Sequence, residues 1–147
     1  AASNNDLDLW DAVRLVALLP KGVAHDPTVV PAAQALRLAT RGGAELLGMG
    51  ARIGTLEPGK RADLCVLDTE GLAHLPLYHP TSQLAYATRG SDVVHTVVDG
   101  KVVYRDRRHT TIDVGSLRAE VRALAPQIAA ACRRDAPKNQ AARRPSE

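Results

Sequence analysis

The stretch over residues 53–67 combines a forced turn with a short apolar strand. Pro58 fixes φ at the second position of a turn, and Gly59 accepts the positive φ that a type II turn requires at the third. The run Leu-Cys-Val-Leu follows at 64–67, between two aspartates. Because both faces of this run are apolar, the sequence predicts a strand that is buried on both sides.

A second sheet signal lies further along the chain. The runs V-V-H-T-V-V at 93–98 and K-V-V-Y-R at 101–105 flank Asp99 and Gly100, the strongest two-residue hairpin signal. Three strands form too small a sheet to cover both faces of residues 64–67. We therefore expect further strands from outside this sequence. The start at Ala1, without an initiator methionine, agrees with a fragment of a larger protein.

The first fifty residues carry helical patterns, and the predicted helices cover 6–19, 32–40 and 44–47. Asn4 or Asn5 is placed to cap the first helix, and Pro20 is expected to end it. Pro31 suits the first position of the second helix, which Gly42 is expected to end. The apolar stripe of the first helix is wide enough to require neighbours on two sides.

The remaining segments are predicted to be less regular until a last helix begins. Residues 74–82 predict irregular chain, and residues 83–87 predict a single helical turn. After the hairpin, Asp113 or Ser116 is placed to cap a helix with an apolar stripe. Pro126 should kink this helix, because its ring displaces a backbone hydrogen bond.

These patterns divide the chain into four parts. They are a helical part over 1–51, a β part over 52–112, a helix over 113–134 and a basic tail over 135–147. The net charge of +3 lies in the last fifteen residues, which hold five basic and two acidic side chains. The tail is predicted to be disordered and solvated. It has no aromatic residue on which a base could stack, so no nucleic-acid binding is expected.

Targeting and redox signals predict a soluble, cytoplasmic protein without a membrane partner. The sequence has no charged-then-apolar leader and no apolar run of membrane-spanning length. Cys65 and Cys132 are too far apart for a metal-ligand motif and are predicted to be reduced packing residues, with Cys65 inside the buried strand.

The histidines do not predict a metal site within the chain. They are His25, His74, His79, His95 and His109. None forms a His-x-His pair, and no two lie three or four residues apart on a helix. The polar cluster A-A-S-N-N-D at the start is the one segment with a functional character, although from the residues alone helix capping is the favoured explanation.

Three stretches of the sequence resemble a known family. P-A-A-Q-A-L-R-L-A-T-R-G-G-A-E-L-L-G, followed by I-G-T-L-E-P-G-K-R-A-D-L, is similar to the deaminase and triazine-hydrolase branch of the amidohydrolase superfamily. The opening A-A-S-N-N-D-L-D most resembles methylthioadenosine/S-adenosylhomocysteine deaminases. L-P-L-Y-H-P-T-S-Q-L-A-Y-A and the V-V-D-G-K-V-V-Y hairpin fit the same group. Together these stretches cover most of the chain.

The resemblance implies an α/β fold. The chain would hold the last helices of a (β/α)8 metallo-hydrolase barrel, part of a small composite β-sandwich domain and a C-terminal docking helix. The family's divalent ion, Zn²⁺ or Fe²⁺, is held by a His-x-His pair, two further histidines and an aspartate, and the resemblance places all of these ahead of Ala1. The ion activates the water that attacks the amidine carbon of a purine-like ring.

The same resemblance implies a role for the start of the chain. Ser3, Asn4 and Asn5 would lie at the rim of the active site, because loops at the carboxyl ends of barrel strands shape the pocket. No catalytic role falls on any other residue, so this chain by itself is expected to be inactive.

The implied partners are the N-terminal part of the same enzyme, a small-molecule substrate and, as an open alternative, further copies of the enzyme. Two other functions remain open at this stage. One is hydrolysis of a chlorotriazine or a cyclic amide by the same superfamily. The other is a non-catalytic β module that acts by protein contact.

Overall fold

The structure, a computed structural model, describes residues 7–134. They belong to two compact units that divide between Thr110 and Thr111. In the first unit the helices are α1 (Leu9–Ala24), α2 (Ala32–Arg37), α3 (Gly43–Leu46) and α4 (Pro80–Tyr86), and the strands are β1 (Leu64–Leu67), β2 (Val93–Val98), β3 (Lys101–Arg105) and β4 (Arg108–His109). The second unit contains α5 (Val114–Arg134). The described chain is thus α/β, and the division into four parts stays a prediction.

The first helix differs from its predicted bounds at both ends. Asp8, not Asn4 or Asn5, caps α1, and its carboxylate accepts from the backbone N–H of Trp10. At the other end the helix continues through Pro20 to Ala24. Beyond the proline, Lys21 donates from Nζ to the carbonyls of Val29 and Val30 and so ties the last turn to the loop that follows. The prediction that Pro20 ends the helix was therefore wrong.

The second predicted helix does not end at Gly42. After α2 the chain widens into one π-turn, Leu38–Gly42, and then continues as α3. The N–H of Gly43 donates to the carbonyl of Leu38, five residues back, as a π-turn requires. Gly42 and Gly43 have helical φ angles of −62° and −61°, so they do not end the helix.

The core of the first unit is made of small side chains. Helices α1, α2 and α4 meet there, and the buried residues of this cluster are Val13, Ala17, Ala32, Ala35 and Ala85. Because alanine adds only one methyl group, the helix backbones can approach closely. Residues 80–86 form a helix, so the helical turn predicted from residue 83 is confirmed, and the prediction of irregular chain was wrong for residues 80–82.

The sheet is antiparallel, with strand order β1-β2-β3-β4. The hairpin prediction is confirmed: Asp99 and Gly100 have φ values of 51° and 76°, and two positive φ angles are what a type I′ turn needs. The two-residue strand β4 was missed. It is held by Thr110, whose backbone N–H donates to the carbonyl of Val103 and whose hydroxyl donates to that of Val102.

Strand β1 is confirmed, but the described residues do not bury it. It pairs with β2 and stands at the edge of the sheet. Cys65 and Val66 are exposed, whereas Leu64 and Leu67 are half-buried. The described residues thus leave β1 partly uncovered, as expected of a strand whose remaining neighbours come from outside this sequence. The burial of this strand, and of Cys65 within it, stays a prediction.

The turn before β1 has the predicted form. Gly59 has φ +87°, and the N–H of Lys60 donates to the carbonyl of Glu57. The Lys60 side chain is only 16% exposed. Its Nζ donates to the Gly50 carbonyl at 2.9 Å and to Thr55 Oγ1 at 2.6 Å, and so fastens the loop ahead of the turn.

The second unit begins with a capped helix. Asp113 Oδ1 accepts from the backbone N–H groups of Gly115 and Ser116, and the Ser116 hydroxyl donates to Oδ2. The helix runs without interruption through Pro126. The predicted cap is confirmed.

The pKa of Asp113, the cap of α5, is expected to depend on the Ser116 side chain. The Ser116 hydroxyl, with the backbone N–H groups of Ser116 and Gly115, holds the pKa of Asp113 below its ordinary value of 3.8. Since the folded pKa is the lower one, the carboxylate stabilises the helix start fully above pH 3.8 and loses that effect as the pH falls through the folded value. A carboxyl-carbon NMR titration of Ser116→Ala should give a higher Asp113 pKa. Ser82→Ala, the control, should leave it unchanged, and an equal pKa in all three proteins would contradict the prediction.

Candidate functional site

The predicted rim residues lie at the start of the chain. Ser3, Asn4 and Asn5 are outside the described residues, so their role stays a prediction. The described chain begins directly behind them, and Asp8 is the first residue of this segment with long-range contacts. The site is therefore built from the residues that hold this segment in place.

Asp8 joins two parts of the chain that are 82 residues apart. Its Oδ1 accepts from the N–H of Trp10 at 2.9 Å, and its Oδ2 accepts from the N–H of Gly90 at 2.8 Å. Gly90 leaves the space for this contact, because a Cβ there would lie 3.0 Å from Oδ2 and 3.1 Å from Oδ1. One carboxylate thus caps α1 and binds the backbone of a distant turn.

Arg14 makes a second link between the same two regions. Its Nε donates to the Tyr86 carbonyl at 3.0 Å, and Nη2 donates to the Thr88 carbonyl at 2.7 Å. Asp11, one turn back on α1, accepts from Nη1. Thr88 is only 2 % exposed, and its hydroxyl donates to the carbonyl of Gln83. The guanidinium therefore satisfies backbone carbonyls at the end of α4.

His74 contacts the same region of the chain through Gln83 and Asp92. It is 3 % exposed, and its Nε2 lies 3.1 Å from Oδ2 of Asp92. The side-chain nitrogen of Gln83 lies 2.9 Å from Nδ1 and also donates to the Ala73 carbonyl. An imidazole with its proton on Nε2 satisfies both contacts. Asp92 Oδ2 accepts in addition from the N–H of Arg89.

These contacts hold the chain in position and do not form a catalytic set. Each donor and acceptor named above is bound to backbone or to another side chain of the network, and no nucleophile is paired with a base. Within residues 7–134, no three His, Cys, Asp or Glu side chains come together to hold a metal ion. The described residues therefore do not fit the divalent ion that the resemblance implies.

The sequence did not reveal this network. Asp8 has the pattern of an ordinary acidic residue in a first helical turn, and His74 lies in a stretch predicted to be irregular. Asp8 binds Gly90, 82 residues away, and His74 contacts Gln83 and Asp92, 9 and 18 residues away. The R-G-S-D turn at 89–92 carried a local signal, since a glycine followed by an aspartate is typical of a tight turn.

An open apolar groove lies between the helices and β1. Its volume is about 620 Å³. Its larger apolar side chains are those of Trp10, Leu36, Leu47, Ile53, Leu56, Leu64, Leu67 and Leu84. The groove and the exposed part of β1 together form an apolar surface that a single soluble domain rarely leaves open. In residues 7–134, no helix combines the length and the apolar character needed to cross a membrane.

Known proteins match this chain over most of its length. The family model described as "Amidohydrolase family" matches residues 1–103. A 5-methylthioadenosine/S-adenosylhomocysteine deaminase of Syntrophobacter fumaroxidans is 47% identical over 86% of this chain and 29% of its own length. The enzyme of the same name from Desulforudis audaxviator is 49% identical over 77% of this chain and 26% of its own.

Solved structures give the same result. An adenosine deaminase from Xanthomonas campestris with bound zinc superposes with a TM-score of 0.85 at 43% identity, over 88% of this chain and 29% of that one. Atrazine chlorohydrolase from Arthrobacter aurescens, a mutant with zinc and atraton, gives 0.72 at 28% identity, over 80% and 26%. The chain thus spans less than a third of the length of these relatives. It belongs to the amidohydrolase family.

Proposed function

We propose that this chain is the C-terminal part of a metal-dependent hydrolase that removes an amino group from an adenosine derivative. One observation carries the proposal. Relatives named as deaminases are 46–49% identical in four of the matched proteins, whereas the atrazine chlorohydrolase is 28% identical. The match to the amidohydrolase family model also includes the polar opening of the chain.

In this proposal the chain shapes the pocket and leaves the chemistry to the rest of the protein. Ser3, Asn4 and Asn5 contact the substrate at the rim, and their hydroxyl and amide groups can donate to and accept from its polar atoms. Because the described residues do not fit a metal ion, the ligands of the zinc or iron come from the part of the enzyme that precedes this chain. No proton transfer is assigned to a described residue.

The same larger part would cover the apolar surface. The groove beside β1 and the free edge of that strand have the composition of an interior. We propose that the remaining barrel and further strands of the β-sandwich domain pack there. This reading disfavours a self-standing β module, which would have to leave the groove exposed to water.

The test uses the full-length protein loaded with zinc. Methylthioadenosine, S-adenosylhomocysteine and adenosine are supplied in parallel with atrazine, and ammonia and chloride release are measured. We expect ammonia release from an adenosine derivative with kcat/KM at least about 100-fold above that for atrazine, because a site built to bind polar substrate groups rejects analogues that lack them. Chloride release alone would favour the triazine alternative. No turnover of either class would overturn the proposal.

A further inference from the structure

The hydrogen bond from the Gly90 N–H to the Asp8 carboxylate, called here the Asp8–Gly90 bridge, joins two distant segments of the chain. On one side, Asp8 follows the predicted rim by three residues. Three residues of chain reach about 11 Å at most, so the bridge fixes the chain within that distance of Asn5. On the other side, Gly90 belongs to the loop over residues 87–92, called here the 87–92 loop. A single carboxylate therefore links the rim segment to this loop.

The 87–92 loop is held firmly enough to serve as an anchor. Arg14 binds the Tyr86 and Thr88 carbonyls at its beginning. At its end, Asp92 accepts from the N–H of Arg89 and lies against the buried ring of His74. Every one of these contacts is independent of the bridge itself. Asp8 is thus fastened to a part of the chain that other groups already immobilise.

A side chain at position 90 would crowd the Asp8 carboxylate. The N–H of Gly90 approaches Asp8 so closely that a Cβ would lie 3.0–3.1 Å from three atoms of the carboxyl group. A contact this tight forces the carboxylate to move when a methyl group is added. The bridge therefore depends on two residues, one for the acceptor and one for the space.

We propose that the Asp8–Gly90 bridge is a positioning device for the pocket rim, and that substrate affinity depends on it. The inference rests on the proposed function, in which Ser3, Asn4 and Asn5 touch the substrate. Asp8 acts as a positioning residue, because its carboxylate accepts from the backbone N–H groups of Trp10 and Gly90 and so joins two segments of the chain. Removal of the bridge leaves the chemical step intact and frees the segment that carries the rim.

Asp8→Asn is the most informative variant. Asparagine caps helices as well as aspartate does, so α1 keeps its start. Its amide NH2, however, faces one of the two N–H groups and loses that hydrogen bond. In the zinc-loaded full-length protein we expect a KM for methylthioadenosine about tenfold higher, with kcat changed less than about threefold, since small displacements of positioning groups have effects of this order or larger.

Gly90→Ala disturbs the bridge at its other partner. It should likewise raise KM and leave kcat little changed. Two matched controls separate positioning from general loss of structure. Asp113→Asn alters a helix cap of the same chemistry in the second unit, and Gly22→Ala adds a methyl group where no atom lies within 4 Å. Both controls should keep KM within about twofold. Equal KM values for the variants and the controls would overturn the inference.

Hydrogen exchange supplies a readout that needs no turnover. Peptides covering residues 1–8 and 87–92 of the full-length protein should exchange at least about tenfold faster in Asp8→Asn, while those covering α2 keep their rates. Unchanged exchange in both segments would overturn the bridge as a positioning device. If the wild-type protein deaminates no adenosine derivative, the proposed function fails on its own, and the exchange rates still decide whether the bridge holds the segment.

Discussion

Gly54→Ala is expected to destabilise the full-length protein by about 3 kcal/mol. Gly54 has φ +93°, a conformation that costs an L-residue about 1 kcal/mol. An added Cβ would also lie 2.6 Å from Cβ of Ala44 and 3.2 Å from the Cα of Arg41. Overpacking of this kind costs about 1–3 kcal/mol, because backbone atoms must shift. The change in free energy of unfolding, measured by urea denaturation, checks the sum.

Gly59→Ala is the matched control for this variant. Gly59 has nearly the same conformation, φ +87°, but an added Cβ there meets nothing within 4 Å. Its cost should therefore be the conformational part alone, about 1 kcal/mol. If the two alanine variants lose the same free energy, close packing of Gly54 against Ala44 does not contribute, and the prediction is wrong.

His74→Ala is expected to cost a similar amount, about 3 kcal/mol, for a different reason. The imidazole is almost fully buried, and its removal leaves Asp92 and Gln83 each without one partner. An unsatisfied buried polar group costs about 1–3 kcal/mol, and the lost packing of the ring adds to this. Thermal and urea unfolding of the full-length protein provide the measurement.

His95 supplies the comparison, since it also faces an aspartate. Its Nε2 lies 3.7 Å from Oδ1 of Asp106, and the two side chains are 36% and 78% exposed. Exposed pairs of this kind contribute about 1 kcal/mol or less. His95→Ala should therefore unfold close to the wild type. A loss as large as that of His74→Ala would show that burial does not decide the difference.

Local chemistry made part of this fold predictable. The Asp99-Gly100 hairpin and the turn at Gly59 depend on positive φ angles, and the residues that tolerate such angles stand in the sequence. The cap at Asp113 is equally local, because its donors lie two and three residues away. In these cases the residues that form the structure are neighbours in the chain.

Other features depend on contacts that no local pattern contains. Pro20 has a strong tendency to end a helix, but α1 continues past it to Ala24, and Lys21 in its last turn binds the loop that follows. The apolar run at 64–67 indicates which faces need cover without identifying what covers them. The network around the 87–92 loop joins residues up to 82 positions apart, and so neither Asp8 nor His74 was predicted to take part.

The predicted rim had a different source. Ser3, Asn4 and Asn5 were identified through resemblance alone, since their own pattern favours a helix cap. The structure gives the cap to Asp8, which removes the structural explanation for Asn4 and Asn5 as capping residues. Asn4 and Asn5 lie outside the described residues, and their place at the rim stays a prediction.

The π-turn at Leu38–Gly42 makes the length of this segment critical. Each residue of an α-helix advances the direction of its side chain by about 100°. Deletion of one residue from the turn would allow an unbroken helix, but it would rotate Ala44 and Glu45 away from the glycines at 54 and 50 that now lie against them. Insertions and deletions should consequently be tolerated far less well here than in the loop over residues 25–31, and chain length at this point acts as a constraint separate from amino-acid identity.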